Sequence, residues 1–156
     1  MRIILQRVQH GRVRVDGADG RYSHTTGAVE TGFVALVGVT HGDTRYEAEL
    51  LAKKTAHLRV FEDDAGKMNR SALQVGGGVL VISQFTLYAD ARKGRRPSFT
   101  DAAAPDVAAP LVDYYAERLR SEGLTRVEKG VFGAMMLVEI HNDGPVTIIL
   151  DSEDLK

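Results

Sequence analysis

Short stretches of alternating apolar and polar residues open the chain, and longer apolar runs follow. Ile3–Val8 predicts a strand, His10-Gly11 a turn, and Arg12–Val15 a second strand. Asp16–Gly20 is a turn-rich connection, and Gly32–Val39 is a continuous apolar run of the kind buried on both sheet faces. Thr44-Arg45-Tyr46-Glu47 has capping-box spacing and opens a helix to about His57, with Tyr46, Leu50, Leu51 and Leu58 at helical intervals. Leu58–Glu62 reads as a strand, Asp63–Gly66 as a turn, and Val79–Phe85 as another buried strand. From Pro105 to Arg120, Val107, Leu111, Tyr115 and Leu119 recur every four residues; Pro110 fits the first turn and Gly123 the stop. Three short strands close the chain: Arg126–Lys129, Met135–Ile140 and Val146–Leu150.

This order predicts an α/β fold: one layered domain over residues 1–156, with a mixed sheet and two main helices. Two helices are too few to cover both faces of a large sheet. A second sheet, a barrel-like β layer or a partner subunit covers the remainder. A chain of this size buries roughly 70% of its unfolded surface. The apolar content of 44% and charged content of 26% are those of a soluble globular protein, and the start of the chain is charged too soon for a signal peptide. There is no cysteine, which excludes a thiol nucleophile, a thiolate metal site and a disulfide framework and suits a reducing cytosol. The net charge of −1 exerts no global pull on nucleic acid, so polyanion binding has to come from a local patch.

One such patch is Arg92-Lys93-Gly94-Arg95-Arg96-Pro97-Ser98-Phe99. Its cations could cradle phosphates, while charge alone favours a solvated surface loop. No Gly-x-Ser-x-Gly elbow, phosphate-binding loop, dinucleotide fingerprint or His-Glu-x-x-His occurs, and the five histidines lack ligand-like spacing. Neither metal nor cofactor is expected. Two segments remain. Ser83-Gln84-Phe85-Thr86-Leu87 places hydroxyls, an amide and an aromatic face at the end of an apolar strand. Asn142-Asp143-Gly144-Pro145-Val146-Thr147 sets a Gly-Pro step between two apolar strands and reads as a rigid hairpin turn with exposed carbonyls. Proline there removes a donor and lowers the cost of a cis bond.

Together these segments resemble the D-aminoacyl-tRNA deacylase family, once called D-tyrosyl-tRNA deacylases. Its two signatures, Ser-Gln-Phe-Thr-Leu and Asn-x-Gly-Pro-Val-Thr, stand complete at Ser83–Leu87 and Asn142–Thr147. The resemblance extends to Leu5-Gln6-Arg7-Val8, Leu58–Asp63, Gly66–Ser71, Asp90–Phe99 and Phe132-Gly133-Ala134, nearly the whole chain. It implies the fold of that family and a cytoplasmic homodimer with active sites at the subunit interface. Gly144-Pro145 is then a Gly–cis-Pro step inserted into the partner's site. Its carbonyls block an L-aminoacyl group, while a D-residue or glycine fits.

By the same resemblance Arg7 holds the motif, Asn142 supports it, and Ser83, Gln84, Phe85 and Thr86 form the catalytic segment. Thr86 is either a nucleophile or a positioning residue assisted by the 2′-hydroxyl of the RNA. Phe85 and Met136 are either walls around the terminal adenosine or core packing. Arg95 and Arg96 become candidates for tRNA phosphates. The implied substrates are D-aminoacyl-tRNA and glycyl-tRNA, cleared as translation proofreading. The competing reading is a non-catalytic RNA-binding module built on Arg92–Arg96.

Overall fold

The computed structural model describes residues 1–156. Its first strand, β1, runs from Arg2 to Gly17, so the expected turn at His10-Gly11 does not exist. Glycine serves there for close packing: a Cβ on Gly11 would sit 2.6 Å from Val34 Cγ2. A tight turn at Ala18-Asp19 leads into β2 (Gly20–Val29), antiparallel to β1. The polar run that forms its first half is mostly exposed, which hid this strand from an apolar-pattern reading.

Next come β3 (Gly32–Gly38) and α1 (Arg45–His57). Both halves of the capping box form at the start of α1, Thr44 with Glu47. The buried apolar side chains of α1 are Ala48, Leu51, Ala52 and Ala56, while Tyr46, one of the apolar positions at helical intervals, points to solvent. Small side chains let α1 lie close against the second helix, where Thr55 and Tyr115 share a buried hydrogen bond of 2.9 Å.

The expected strand Leu58–Glu62 shrinks to β4 (Phe61–Glu62), paired with β5 (Met68–Arg70) in a small hairpin. β6 covers Gly78–Ser83, ending two residues earlier than expected because Phe85–Tyr88 winds into a 3₁₀ turn. α2 spans Pro105–Ser121. Pro110 lies inside this helix rather than in its first turn; it and Asp106, whose carbonyl loses its partner, are both exposed, so water can serve. Gly123 ends α2 at a φ of +111°.

β7 (Val127–Lys129) and β8 (Leu137–Asp151) complete the chain. The largest departure from expectation is β8. The expected strands Met135–Ile140 and Val146–Leu150 are not two arms of a hairpin; Leu137–Ile140 and Val146–Leu150 belong to one strand paired antiparallel with β1, and Met135-Met136 precede it.

The sheet is mixed. β3 pairs with Arg2–Val8 of β1, β6 runs parallel to β3, and β7 parallel to β6, with α1 and α2 in the crossovers. Beyond β3, the same edge of β1 takes up β2, and Arg126 beside β7 donates to Ala28 of β2 at 3.2 Å. This wraps the sheet into a barrel-like layer filled by Val8, Val13, Val29, Val34, Leu80 and Ile82. The larger core, including Ile3, Leu5, Phe33, Leu51, Tyr115 and Leu119, lies between sheet and helices. The fold is therefore α/β, two helices with a mixed, nearly barrel-like sheet. No helix is long and apolar enough to cross a membrane.

Glu47 ties α1 to the end of the chain through Lys156 at 3.1 Å. Burial alone would raise its carboxyl pKa, but hydrogen bonds from Thr44, with Lys156, outweigh it and hold the value at about 2. A depressed folded pKa contributes stability above the ordinary carboxylate range and loses it as pH falls toward 2. Glu47→Gln is thus expected to cost about 2 kcal/mol at pH 7 and much less near pH 2.5. Urea melts at both values check this; a difference independent of pH would refute it.

Candidate functional site

The segment Asp143–Val146 is a bulge in the β1–β8 ladder. Thr147 pairs with Gln6 and Asn142 with Val8, so five residue steps on β8 face two on β1. The excess chain stands out opposite Arg7. Gly144 takes a φ of +138°, the Gly144–Pro145 peptide is cis, and both residues are exposed. A side chain at 144 would meet Val146 Cγ2 at 2.7 Å and the Arg7 guanidinium at 3.3 Å.

Two devices hold the bulge. Arg7, only 6% exposed, donates from Nε to the Asp143 carbonyl at 2.9 Å and from its terminal nitrogen to the Val60 carbonyl at 2.7 Å. Asn142 accepts from the Val146 amide at 2.8 Å and donates to Thr147 Oγ1 at 3.1 Å. Arg7 has no carboxylate partner, so its charge is satisfied by carbonyl dipoles alone. Val60 had no expected role, and nothing in its apolar side chain marks a carbonyl as important.

The second segment starts where β6 ends. The Gln84 amide donates to the Val37 carbonyl at 2.8 Å, carrying the ladder one step past Ser83. Gln84 Nε2 donates to Thr86 Oγ1, and neither a histidine nor a carboxylate bonds that hydroxyl. Phe85 is 58% exposed and packs edge-on against Phe99, ring centroids 5.1 Å apart. Two residues not singled out from sequence shape this turn. Gly38 is needed because a Cβ there would lie 3.0 Å from Leu87 Cβ and 3.2 Å from the Gln84 carbonyl. Arg2 donates to the Leu87 carbonyl at 3.0 Å and stacks on Tyr88, 4.9 Å from its ring centre. Burial and the nearby Asp43 and Asp151 raise the Tyr88 phenol above its ordinary pKa.

The basic loop is pinched off by Asp90 and Ser98, whose backbones exchange hydrogen bonds of 2.8 and 2.9 Å. Arg92 is spent on Asp90, which it pulls well below the ordinary carboxylate pKa, whereas Arg95 and Arg96 form no ion pair. Met136 packs on the barrel interior beside Gly130 and Ile82, near the end of β6. Among the histidines, His10 and His141 meet edge-to-face at 5.2 Å; no cluster of three or more ligand-type side chains is placed to hold a metal.

The two signature segments are not brought together within one chain. Ser83 lies level with Val37, Ile3 and Leu150, whereas the bulge faces Arg7, level with Phe33 and Val79. Four steps along the strands and three strand spacings separate them, about 13 Å by about 14 Å.

A family profile described as D-Tyr-tRNA(Tyr) deacylase matches residues 4–151. The chain belongs to this family. It is 60% identical, over its whole length and 97% of that protein, to a protein of Thermomicrobium roseum named D-aminoacyl-tRNA deacylase. It is 53% identical to a protein of the same name from a Geobacillus species, over 99% of this chain and 97% of that one. Among solved structures, the c-Myc DNA Unwinding Element Binding Protein superposes with a TM-score of 0.87 at 36% identity, covering 97% of this chain and 98% of that one. A probable eukaryotic D-amino acid tRNA deacylase superposes at 0.81 with 18% identity over 96% of this chain and 97% of that one, a likeness of fold alone.

Within this deacylase-family chain, the bulge depends on Asn142 as its internal clasp. Asn142→Ala leaves the Val146 amide unpaired and is expected to speed its hydrogen exchange about tenfold, with little change in the core of β3. Unchanged protection at Val146 would show that Arg7 alone fixes the bulge.

Proposed function

We propose that residues 1–156 act as one D-aminoacyl-tRNA deacylase domain, a hydrolase cleaving the ester between an amino acid and the terminal adenosine of tRNA. The observation that carries the reading is the Gly144-Pro145 bulge, an exposed backbone feature held by the buried Arg7, in a chain of this family. In this reading the bulge selects by excluding. Its carbonyls leave no room for an L-aminoacyl group, whereas a D-residue or glycine fits, and the amino-acid side chain goes unread. The enzyme works in the cytoplasm as translation quality control and also clears glycine from mischarged tRNA.

The separation of the two signature segments supports a homodimer in which the bulge of one subunit enters the site formed by Ser83, Gln84, Phe85 and Thr86 of the other. Phe85 and Met136 flank the terminal adenosine, and Arg95 and Arg96 meet RNA phosphates. Water attacks the ester carbonyl, the bond to the ribose oxygen breaks, and free amino acid leaves. With only Gln84 bonded to Thr86, its hydroxyl lacks a base. Thr86 therefore positions the ester while the RNA 2′-hydroxyl assists.

The deciding assay compares matched D- and L-aminoacyl-tRNA. Release of free D-amino acid with the L-ester spared is expected; protection of both esters would instead favour a non-catalytic RNA-binding module. Arg7→Lys keeps the charge but loses the two-carbonyl fork, and should narrow the D/L ratio by about tenfold or more. Thr86→Ala should keep measurable turnover and raise KM. Abolished turnover with intact tRNA binding would make Thr86 the nucleophile.

A further inference from the structure

Leu50, Lys53, Lys54 and His57 recur along α1 at intervals of three and four, so they form one stripe on the helix surface. That stripe borders a groove of about 550 Å³, floored by Leu50, Leu58 and Leu155 and rimmed by Lys53, Lys54 and Arg59. The cations are free to meet a ligand. Nearby carboxylates are already engaged, Glu47 with Lys156, Glu49 with Arg118 and Glu122 with His57, and neither lysine forms an ion pair. Arg59 bonds the backbone and side-chain oxygens of Asn69 and forms no ion pair, with Asp63 and Asp64 lining the hollow on its other flank.

The C-terminal end of a helix is electronegative, and one or two cations there would serve the helix itself. Three unpaired cations beside an apolar floor exceed that need. The position narrows the occupant. Arg59 precedes Val60, whose carbonyl receives Arg7, so the groove adjoins the anchorage of the bulge. A polyanion whose aminoacyl end reaches that bulge is the occupant that this adjacency and the three cations favour together.

We propose that this groove binds backbone phosphates of the tRNA, so that the subunit supplying the selecting bulge also supplies a docking surface. The RNA is then held from two sides, by the basic loop beside Ser83–Leu87 of one subunit and by α1 of its partner. This inference rests on the deacylase reading.

The test uses the full-length protein carrying Lys53→Glu with Lys54→Glu, and separately Lys53→Ala with Lys54→Ala. Binding of uncharged tRNA is measured across a salt series, and hydrolysis is followed on D-aminoacyl-tRNA and on D-aminoacyl-adenosine. The Glu pair should weaken tRNA binding by about tenfold near 0.1 M salt and lower the slope of log Kd against log salt by between about one and two. The Ala pair should show a smaller loss in the same direction. Cleavage of D-aminoacyl-adenosine should stay within about twofold. Unchanged Kd and slope would overturn the proposal, as would an equal loss on D-aminoacyl-adenosine. If the unmodified protein cleaves neither ester, the deacylase reading fails, and the tRNA-binding arm still decides the groove.

Discussion

The structure turns on a buried cation without an anion. Arg7 lies on the central strand β1, almost wholly removed from water, and its guanidinium is met only by the carbonyls of Val60 and Asp143. An isolated charge in such a place is costly unless acceptors replace the lost water, and these two carbonyls are the acceptors the chain supplies. The folded chain therefore cannot let either carbonyl drift. One belongs to the approach to β4, the other to the excess loop of β8. A single side chain thus fixes three segments that are far apart in sequence, and the exposed Gly144-Pro145 step inherits its rigidity from a group it does not touch through its own side chains.

Helices were legible in the sequence because their signals are local. The capping box at Thr44 and the glycine after α2 state their geometry within a few residues. The strands were less so, since turn chemistry looks the same whether a chain reverses or merely bulges. Asn142-Asp143-Gly144 reads as a hairpin turn, and only the partner shows otherwise: both flanks pair with β1, so the chain leaves the ladder and returns to it. His10-Gly11 failed for a related reason, its glycine answering to Val34 across the barrel rather than to a turn. β2 escaped notice because its outer half has no apolar alternation to show.

For the site, the sequence named the segments but not their relation. Ser83–Leu87 and Asn142–Thr147 are equally conspicuous, and neither reveals that the sheet register sets them at opposite levels. Supporting residues were hidden more deeply. Gly38 matters by lacking a side chain, Val60 by its carbonyl, and Arg2 because the 3₁₀ turn happens to end beneath it. None of these roles leaves a trace in residue type.

The two segments are built in opposite ways. The bulge is a backbone feature whose shape is set by Arg7 and Asn142 beneath it rather than by the side chains at its tip. The segment around Thr86 is the reverse: Phe85 and Thr86 present exposed side chains, while its backbone is clamped by Val37, Gly38 and Arg2. Within one chain the rigid main chain and the side-chain-rich turn stand at different levels of the sheet, three strands apart. The strand that carries the Gly-Pro step pairs with β1 along one edge and leaves its other edge open, so the bulge depends on β1 alone for its place in the sheet.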